Sequence, residues 1–366
     1  MALRFLMAEA RAGDAFVVTA TGPGKPPWLA VIDGGPPGTP GRTLLPLLEA
    51  VLQDTPGHDR IVDLLAVTHV DSDHIGGAID LLADLQAGTL PVSFRSVWHN
   101  SFEDLTDDQR VTTSAKVHDA LVARNVPDRP RTGVRLTEAQ AVVASIGQGI
   151  TLMELIRDLG LEGNEPSDDG VLVQGLIAQW PRGGPRIEVI GPTAEAIARL
   201  RRDWERNVNK QRNEFTAARQ AAVSIDRSVT NLASLVFLLE HEGQSALFTG
   251  DARGDLIVQA LRATGHLTRG PLEVNALKLP HHGSDRSCSV ELFRRVLADH
   301  YLISGDGSNG NPSAVTAHRL RDALRGRTAT VWMTHEIPGV SDYLGAAPNV
   351  TVLVPAEASA GVEISL

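Results

Sequence analysis

Four potential metal ligands stand within six residues of the chain, directly after an apolar run. They are His69, Asp71, Asp73 and His74. Imidazole and carboxylate groups suit zinc, manganese or iron. Alternate side chains of an extended segment point the same way, so the first three can converge on one site. His74 then joins them where the chain turns into a helix, which we expect to begin near Gly76. The alternative is a solvated acidic loop that caps this helix, but such a density of ligands favours a metal site.

Two further clusters follow predicted strands later in the chain. Asp251 comes after the apolar run that ends near Phe248, and residues 280–284, Pro-His-His-Gly-Ser, follow another such run. Alone, a Gly-Asp pair is typical of a turn, and a His-His pair often has no function. Three clusters that each follow a strand indicate one shared site. Adjacent histidines point in different directions, so one of His281 and His282 could bind a metal while the other contacts substrate.

The elements that must position these residues alternate between strands and helices. Apolar runs and alternation predict strands at 14–21, 28–32, 61–67, 171–179, 186–190, 234–240, 245–249, 274–279, 300–304, 328–333 and 350–354. Helical spacing predicts helices at 43–54, 76–86, 193–219, 254–264, 289–298 and 313–325. This alternation predicts an α/β layered enzyme. We expect a single domain over residues 1–366, with a mainly helical insertion at about 100–226.

Composition and charge exclude several classes of protein. The chain has 366 residues, 42% hydrophobic and 21% charged, so a large packed core is expected and wholesale disorder is not. The aromatic content of 4% offers no stacking platform for many bases. With a net charge of -10, non-specific attraction to duplex DNA or to an anionic membrane is not expected.

Cysteine usage and hydropathy bear on the compartment. Cys288 is the single cysteine, so an intrachain disulfide is excluded and a reducing cytoplasm is favoured. We interpret Cys288 as an inert core thiol. The N-terminus lacks the apolar stretch of a signal peptide, and the sequence has no run of about 18 apolar residues. We therefore expect a cytoplasmic protein that does not engage a membrane.

The order of these motifs resembles the metallo-β-lactamase superfamily, and most closely the hydrolase domain of the competence protein ComEC with its stand-alone relatives. The resemblance covers residues 13–80, 186–191 and 230–335. Its main motifs are Asp33-Gly34-Gly35, His69-x-Asp71-x-Asp73-His74, Gly250-Asp251 and Lys278-Leu-Pro280-His281-His282-Gly283-Ser284. The superfamily usually has a second histidine where this chain and the ComEC-like branch have Asp71. Further agreement comes from Asn231, Ser234, Ser304, Gly305, Asn309 and Pro312, whereas Asn311 stands where the branch is expected to have His.

The resemblance implies an αββα sandwich with two divalent ions, zinc or manganese, at the edges of its sheets. The ligands that it implies for one ion are His69, Asp71 and Asn231, those for the other are Asp73, His74 and one of His281 and His282, and Asp251 would bridge both. Two ions about 3.5–4 Å apart lower the pKa of a bridging water and clamp the attacking and leaving oxygens. Asp73 could orient the resulting hydroxide. The histidine of the pair that does not bind metal could stabilise the developing negative charge or protonate the leaving group, and Ser284 could donate a hydrogen bond or simply form the turn.

The ComEC-like resemblance implies a phosphodiester substrate, such as a nucleotide or a short or single-stranded nucleic acid. One feature agrees with it, because residues 199–219 carry seven basic side chains and three acidic ones. The candidate substrate-binding residues are Arg202, Arg206, Ser284, Asn309 and Asn311. Three alternatives stay open: a solvated helix at 199–219, a carboxylic ester or lactone hydrolase, and a metal-binding partner protein without turnover.

Overall fold

The computed structural model describes residues 2–24, 26–55, 58–101, 138–180, 183–209, 233–355 and 361–366. Within them, one sheet contains β1 (Ala2–Met7), β2 (Ala15–Thr21), β3 (Trp28–Gly34), β4 (Ile61–Val67), β5 (Ser93–His99), β6 (Glu162–Gly163) and β15 (Val362–Ser365). The other contains β7 (Ile177–Gln179), β8 (Arg186–Gly191), β9 (Val236–His241), β10 (Gln244–Phe248), β11 (Leu272–Lys278), β12 (Val296–Ile303), β13 (Ala329–Met333) and β14 (Val350–Leu353). The α-helices are α1 (Leu45–Gln53), α2 (Ser72–Gln86), α3 (Glu138–Asp158), α4 (Ala194–Asn209), α5 (Gly254–Ala263), α6 (Val290–Arg295), α7 (Ala314–Ala323) and α8 (Ser341–Gly345).

The strand order places the carboxyl ends of the parallel strands of each sheet at a single edge. The first sheet has the order β15-β1-β2-β3-β4-β5-β6, in which β3 to β6 are parallel. The second has the order β14-β13-β12-β11-β10-β9-β8-β7, in which β10 to β14 are parallel. The loops that leave these edges carry the residues singled out above.

Three apolar layers hold the elements together. The layer between the sheets contains Phe5, Phe16, Trp98, Phe237 and Phe248, and the rings of the last two stack at 5.3 Å. The opposite face of the first sheet packs under α1, α2 and α3, and that of the second under α5, α6, α7 and α8. Strands covered on both faces are expected to form near-continuous apolar runs, as residues 61–67 do. The αββα sandwich is therefore confirmed.

Most of the predicted elements are present, with four strands missed and several boundaries shifted. The strands β1, β5, β6 and β15 were not predicted, and β1 pairs with β15 although the two lie at opposite ends of the sequence. The helix expected at 289–298 ends at Arg295, because Val296 already pairs with Leu272 of β11. Within residues 100–226, the described part contains α3 and α4 together with β6, β7 and β8, which pair into the two sheets.

Two smaller expectations concern Cys288 and membrane spans. The Cys288 thiol is buried and lies 3.5 Å from the carbonyl oxygen of Pro280. Burial raises the pKa of Cys288 to about 12, which is what an unreactive core thiol requires. Throughout the described ranges, each helix is too short or too polar to cross a membrane.

Candidate metal centre

The clusters found in the sequence lie at the edge where the parallel strands of both sheets end. In the first sheet, Asp33 lies at the end of β3 and His69 follows β4. In the second sheet, Asp251 follows β10, and His281 and His282 follow β11. Ligand sites of α/β folds commonly occupy this edge, because the loops there are held by a rigid scaffold. The sandwich brings the loops of both sheets together.

The first motif changes conformation in its middle. The expectation that Asp73 continues an extended segment is wrong, because α2 begins at Ser72, earlier than predicted. Asp71 is the last extended residue, and its carbonyl oxygen accepts a hydrogen bond from the N–H of His74 at 2.9 Å. Its carboxylate does not cap the helix. Asp73 lies in the first helical turn, where the positive end of the helix dipole favours a carboxylate.

Close backbone approach fixes the start of α2. The N–H of Asp14 donates to the carbonyl oxygen of Asp73 at 3.2 Å. A Cβ atom at Gly13 would lie 2.1 Å from that oxygen, and one at Gly77 would lie 1.9 Å from the carbonyl oxygen of Gly34. Only glycine permits contacts this close. These approaches bring Asp14, which the sequence analysis did not single out, to the same site as Asp73.

His281 and His282 form a left-handed turn with Gly283. Their φ angles are 51° and 54°, and that of Gly283 is 84°. The N–H of His281 donates to the carbonyl oxygen of Gly250 at 3.1 Å, which joins the turn to the loop of Asp251. Positive φ is uncommon outside glycine and collects at functional sites, where the surrounding structure overcomes its steric cost. The two rings diverge, with an angle of 82° between their planes.

The positive φ angle of His281 predicts which replacement at this position destabilises the protein less. We expect His281→Gly to be more stable than His281→Ala by about 1 kcal/mol, because alanine keeps a steric penalty at positive φ that glycine lacks. Urea unfolding of the two metal-free variants measures the difference. The control is Asp84, an exposed position in α2, where the same comparison should favour alanine by about 1 kcal/mol. Equal stability of the two His281 variants would contradict the left-handed turn.

One oxygen of Asp251 faces a pair of imidazoles. Asp251 Oδ1 lies 3.3 Å from His74 Nε2 and 3.7 Å from His282 Nε2, and these two nitrogens are 3.4 Å apart. Asp73 Oδ2 lies 3.7 Å from His282 Nε2. We call His74, His282, Asp73 and this oxygen the His74 half-site. Of the two adjacent histidines, His282 is therefore the one that joins the first motif.

The other oxygen of Asp251 faces a second group of side chains. Asp251 Oδ2 lies 3.6 Å from His69 Nε2 and 3.6 Å from His281 Nε2. Asp71 Oδ2 lies 4.0 Å from His69 Nε2. We call His69, Asp71 and this oxygen the His69 half-site. His281 lies beside it with 32% of its side chain exposed, whereas the side chain of His69 is buried.

Behind these groups lies a second row of buried polar residues. His74 Nδ1 lies 2.8 Å from Asp33 Oδ2, and His282 Nδ1 lies 3.1 Å from the carbonyl oxygen of Ser304 and 3.3 Å from Asp14 Oδ1. The Lys278 ammonium contacts the other oxygen of Asp14. A hydrogen-bond acceptor at Nδ1 fixes the imidazole orientation and directs Nε2 outward, as for metal-binding histidines in general. The sequence analysis included Asp33 and Lys278 only in the motifs that carry the resemblance. It did not include Asp14, which has no local sequence signal that marks it as part of a site.

The buried carboxylates of the cluster favour a positive charge beside them. Burial opposes the charged form of every group, yet Asp14 and Asp251 raise the pKa of His282 to about 9. Burial would likewise raise the pKa of Asp251, but His74 and His282 hold it well below its usual range. Burial, assisted by His74, lowers the pKa of His69 to about 4. The carboxylates thus stabilise cations beside them, and a divalent cation would supply the same charge.

The donor set fits a metal. Atoms of Asp14, His74, Asp251 and His282 lie within 4.8 Å of one another. Within the described part of the chain, His69 Nε2 and Asp251 Oδ1 are buried and have no partner with hydrogen-bond geometry, although Asp251 Oδ1 lies 3.3 Å from His74 Nε2. Leaving such atoms unpaired costs about 1–3 kcal/mol each unless something else binds them. Both atoms face the space between ligand-type side chains, so a metal ion is the group that suits them.

The remaining residues predicted from sequence lie further from this cluster or outside the described residues. Ser284 is buried and forms the turn, with its N–H donating to the carbonyl oxygen of His281 at 2.9 Å. Asn309 is exposed and Asn311 half-buried in the loop after β12, where Pro312 packs against Gly283. Arg202 is exposed on α4. Asn231 and the side chain of Arg206 lie outside the described residues.

Comparison with known proteins identifies similar folds only. No protein-family model and no curated protein matches the sequence. Among solved structures, the chain is similar to the metallo-β-lactamase fold protein YhfI from Bacillus subtilis, with 8% identity, a TM-score of 0.41 and 100% of both chains covered.

Two other solved structures are similar at the same level. Zinc-bound PqqB from Methylobacterium extorquens has 10% identity and a TM-score of 0.40, over 99% of this chain and 100% of that one. CmlA, a diiron β-hydroxylase from Streptomyces venezuelae, has 11% identity and a TM-score of 0.39, over 99% of this chain and 54% of that one.

Proposed function

We propose that the chain is a metal-dependent hydrolase that cleaves phosphodiesters and binds two divalent ions, zinc or manganese, one in each half-site. The observation that carries the proposal is the position of Asp251. Its two oxygens face different imidazoles, His74 and His282 on one side and His69 on the other, as expected of a carboxylate that bridges two ions. Asp71 adds a carboxylate to the His69 half-site, which favours a hard ion such as manganese there. Asn231 stays a predicted ligand of this half-site.

Several residues have distinct roles in the proposed reaction. Two bound divalent ions would supply an activated water and polarise the bond to be broken. Asp73, with 28% of its side chain exposed, can accept a proton from the attacking water and orient it. His281 can give a proton to the leaving oxygen, because its side chain is partly exposed to solvent. Asp251 Oδ2, 3.6 Å from His281 Nε2, helps to orient the ring. His282 is thus assigned as the ligand of the pair.

Two features support a phosphodiester substrate. The motif order resembles the ComEC-like branch, whose chemistry is phosphodiester cleavage, and a short or single-stranded nucleic acid suits a chain with a net charge of -10. Helix α4 begins beside the site, since its residue Ala196 lines the same crevice as Ala252, the neighbour of Asp251. Arg202 is exposed on this helix and can contact a phosphate. The apolar lining of that crevice favours the second candidate, a carboxylic ester or lactone.

The test compares these substrates directly. Metal-free protein is supplied with Mn²⁺ or Zn²⁺ and assayed with bis-p-nitrophenyl phosphate, p-nitrophenyl butyrate and single-stranded DNA. We expect phosphodiester cleavage that requires metal and falls by about 10²–10⁴-fold in Asp73→Asn, because a positioned proton acceptor contributes that much. Asp84→Asn, an exposed carboxylate on the same helix, is the matched control and should keep full activity. Ester cleavage alone would assign the second candidate, and metal binding without turnover would contradict both.

A further inference from the structure

The two half-sites differ in what lies behind their imidazoles. Both histidines of the His74 half-site have a carboxylate at Nδ1. Asp33 Oδ2 lies 2.8 Å from His74 Nδ1, and Asp14 Oδ1 lies 3.3 Å from His282 Nδ1. A carboxylate behind an imidazole increases its basicity at Nε2 and fixes the ring for metal binding.

Among the described residues, the partner of His69 at Nδ1 is neutral. Its Nδ1 lies 3.2 Å from the hydroxyl of Thr68, which donates its one hydrogen to Asp33 Oδ2 at 2.8 Å. The hydroxyl can therefore only accept from His69, so Nδ1 carries the proton and Nε2 is directed at the site. An uncharged acceptor polarises the ring less than a carboxylate does.

The surroundings of Asp14 and Asp33 hold both carboxylates in position beside the imidazoles. Asp14 contacts the buried ammonium of Lys278, which also lies 3.4 Å from the carbonyl oxygen of Gly250. Asp33 accepts two hydrogen bonds from Thr68, at 2.7 Å from its N–H and 2.8 Å from its hydroxyl. Both carboxylates are 1% exposed, so their effect on the neighbouring imidazoles is little screened by solvent. We therefore expect the two half-sites to differ in their affinity for a metal ion.

We propose that the two metal sites fill in a fixed order, with the His74 half-site binding its ion first and tightly and the His69 half-site binding a more weakly held second ion. This inference rests on the proposed two-metal function. Asp14 and Asp33 are then positioning residues that act through His282 and His74. Each half-site has one carboxylate of its own and one oxygen of Asp251, so the difference comes from the carboxylates at Nδ1, which the described residues place behind His74 and His282 but not behind His69. The second ion would exchange with solution and make activity depend on metal concentration.

The test is a metal titration that needs no substrate. Metal-free protein is titrated with Zn²⁺ in competition with a chromophoric chelator, and with Co²⁺ while visible absorption is recorded. We expect one tight equivalent and a second at least about 10-fold weaker. Asp71→Asn should weaken only the second step, and Asp33→Asn should weaken the first by about 10–100-fold, the usual effect of losing a group behind a ligand.

A second variant keeps the test valid if a single substitution in the buried Asp14–Lys278 pair prevents folding. Asp14→Asn combined with Lys278→Met removes both charges of the buried pair, and it should also weaken the first step and alter the Co²⁺ absorption of the first equivalent. A purely structural role for Asp14 would lower the melting temperature of the metal-free protein and leave that spectrum unchanged. Two indistinguishable equivalents in the unmodified protein, or a tight step weakened by Asp71→Asn, would overturn the ordered filling. A protein that binds in this order but cleaves none of the substrates would contradict only the proposed hydrolysis.

Discussion

Asp251→Asn should abolish hydrolysis, lowering kcat/KM by more than about 10⁴-fold, because it removes the carboxylate shared by both proposed ions. Asparagine has nearly the same shape, but it can offer only one neutral oxygen. Asp251 Oδ1 and Oδ2 contact His74, His282, His69 and His281, so one substitution affects both half-sites. We therefore expect a larger loss than for Asp73→Asn, which affects the His74 half-site alone.

The measurement pairs kinetics with metal content. Dialysed Asp251→Asn protein should keep its fold, as judged by circular dichroism, because the residue lies in a loop at the sheet edge outside the three apolar layers. Its metal content should fall below one ion per chain. Asp255→Asn is the control, since this carboxylate lies close by in sequence and pairs with Arg253 on the surface. Activity of Asp251→Asn near that of Asp255→Asn would refute the bridging role.

The sequence predicted the ligand clusters well because each is local. His69 to His74 and His281 to His282 are short motifs at the ends of apolar runs, and an apolar run is recognisable without tertiary information. The alternation of strands and helices predicted an α/β layered fold, and the resemblance implied the αββα sandwich. Assigning His282 rather than His281 to the first motif needed the left-handed turn, whose dihedral angles have no signature in the sequence other than Gly283.

The residues behind the ligands were harder to predict because their contacts are distant along the chain. Asp14 meets Lys278 and His282 only after β2 and β11 are placed in facing sheets. The strands β1 and β15 were missed for the same reason. Each is short, and each pairs with a strand from the other end of the chain. The start of α2 at Ser72 was missed because Asp71 ends the extended segment without a side-chain cap. Tertiary contacts override local propensity at such positions.

Lys278→Met should destabilise the protein by about 3–5 kcal/mol, the usual effect of removing one partner of a buried ion pair. Lys278 is 2% exposed and Asp14 1%, so water cannot replace the lost ammonium. Burial alone would lower the pKa of Lys278, but Asp14 raises it above its usual range. A raised folded-state pKa means that the stabilisation is fully present below the unfolded-state pKa and is lost as the pH rises through the folded-state value. At pH 7 the full loss should therefore be seen.

The double variant Asp14→Asn with Lys278→Met distinguishes the contribution of the two charges to stability from the contribution of side-chain packing. It removes both charges, and we expect it to recover most of the lost stability, because replacing a whole buried pair is often close to neutral. Urea unfolding of the metal-free proteins at pH 7 gives each free energy. Arg253→Met, which breaks the exposed pair with Asp255, should cost no more than about 1 kcal/mol. If Lys278→Met were as mild as Arg253→Met, Asp14 would be stabilised by the neighbouring imidazoles alone, and Lys278 would have no part in holding the carboxylate behind His282.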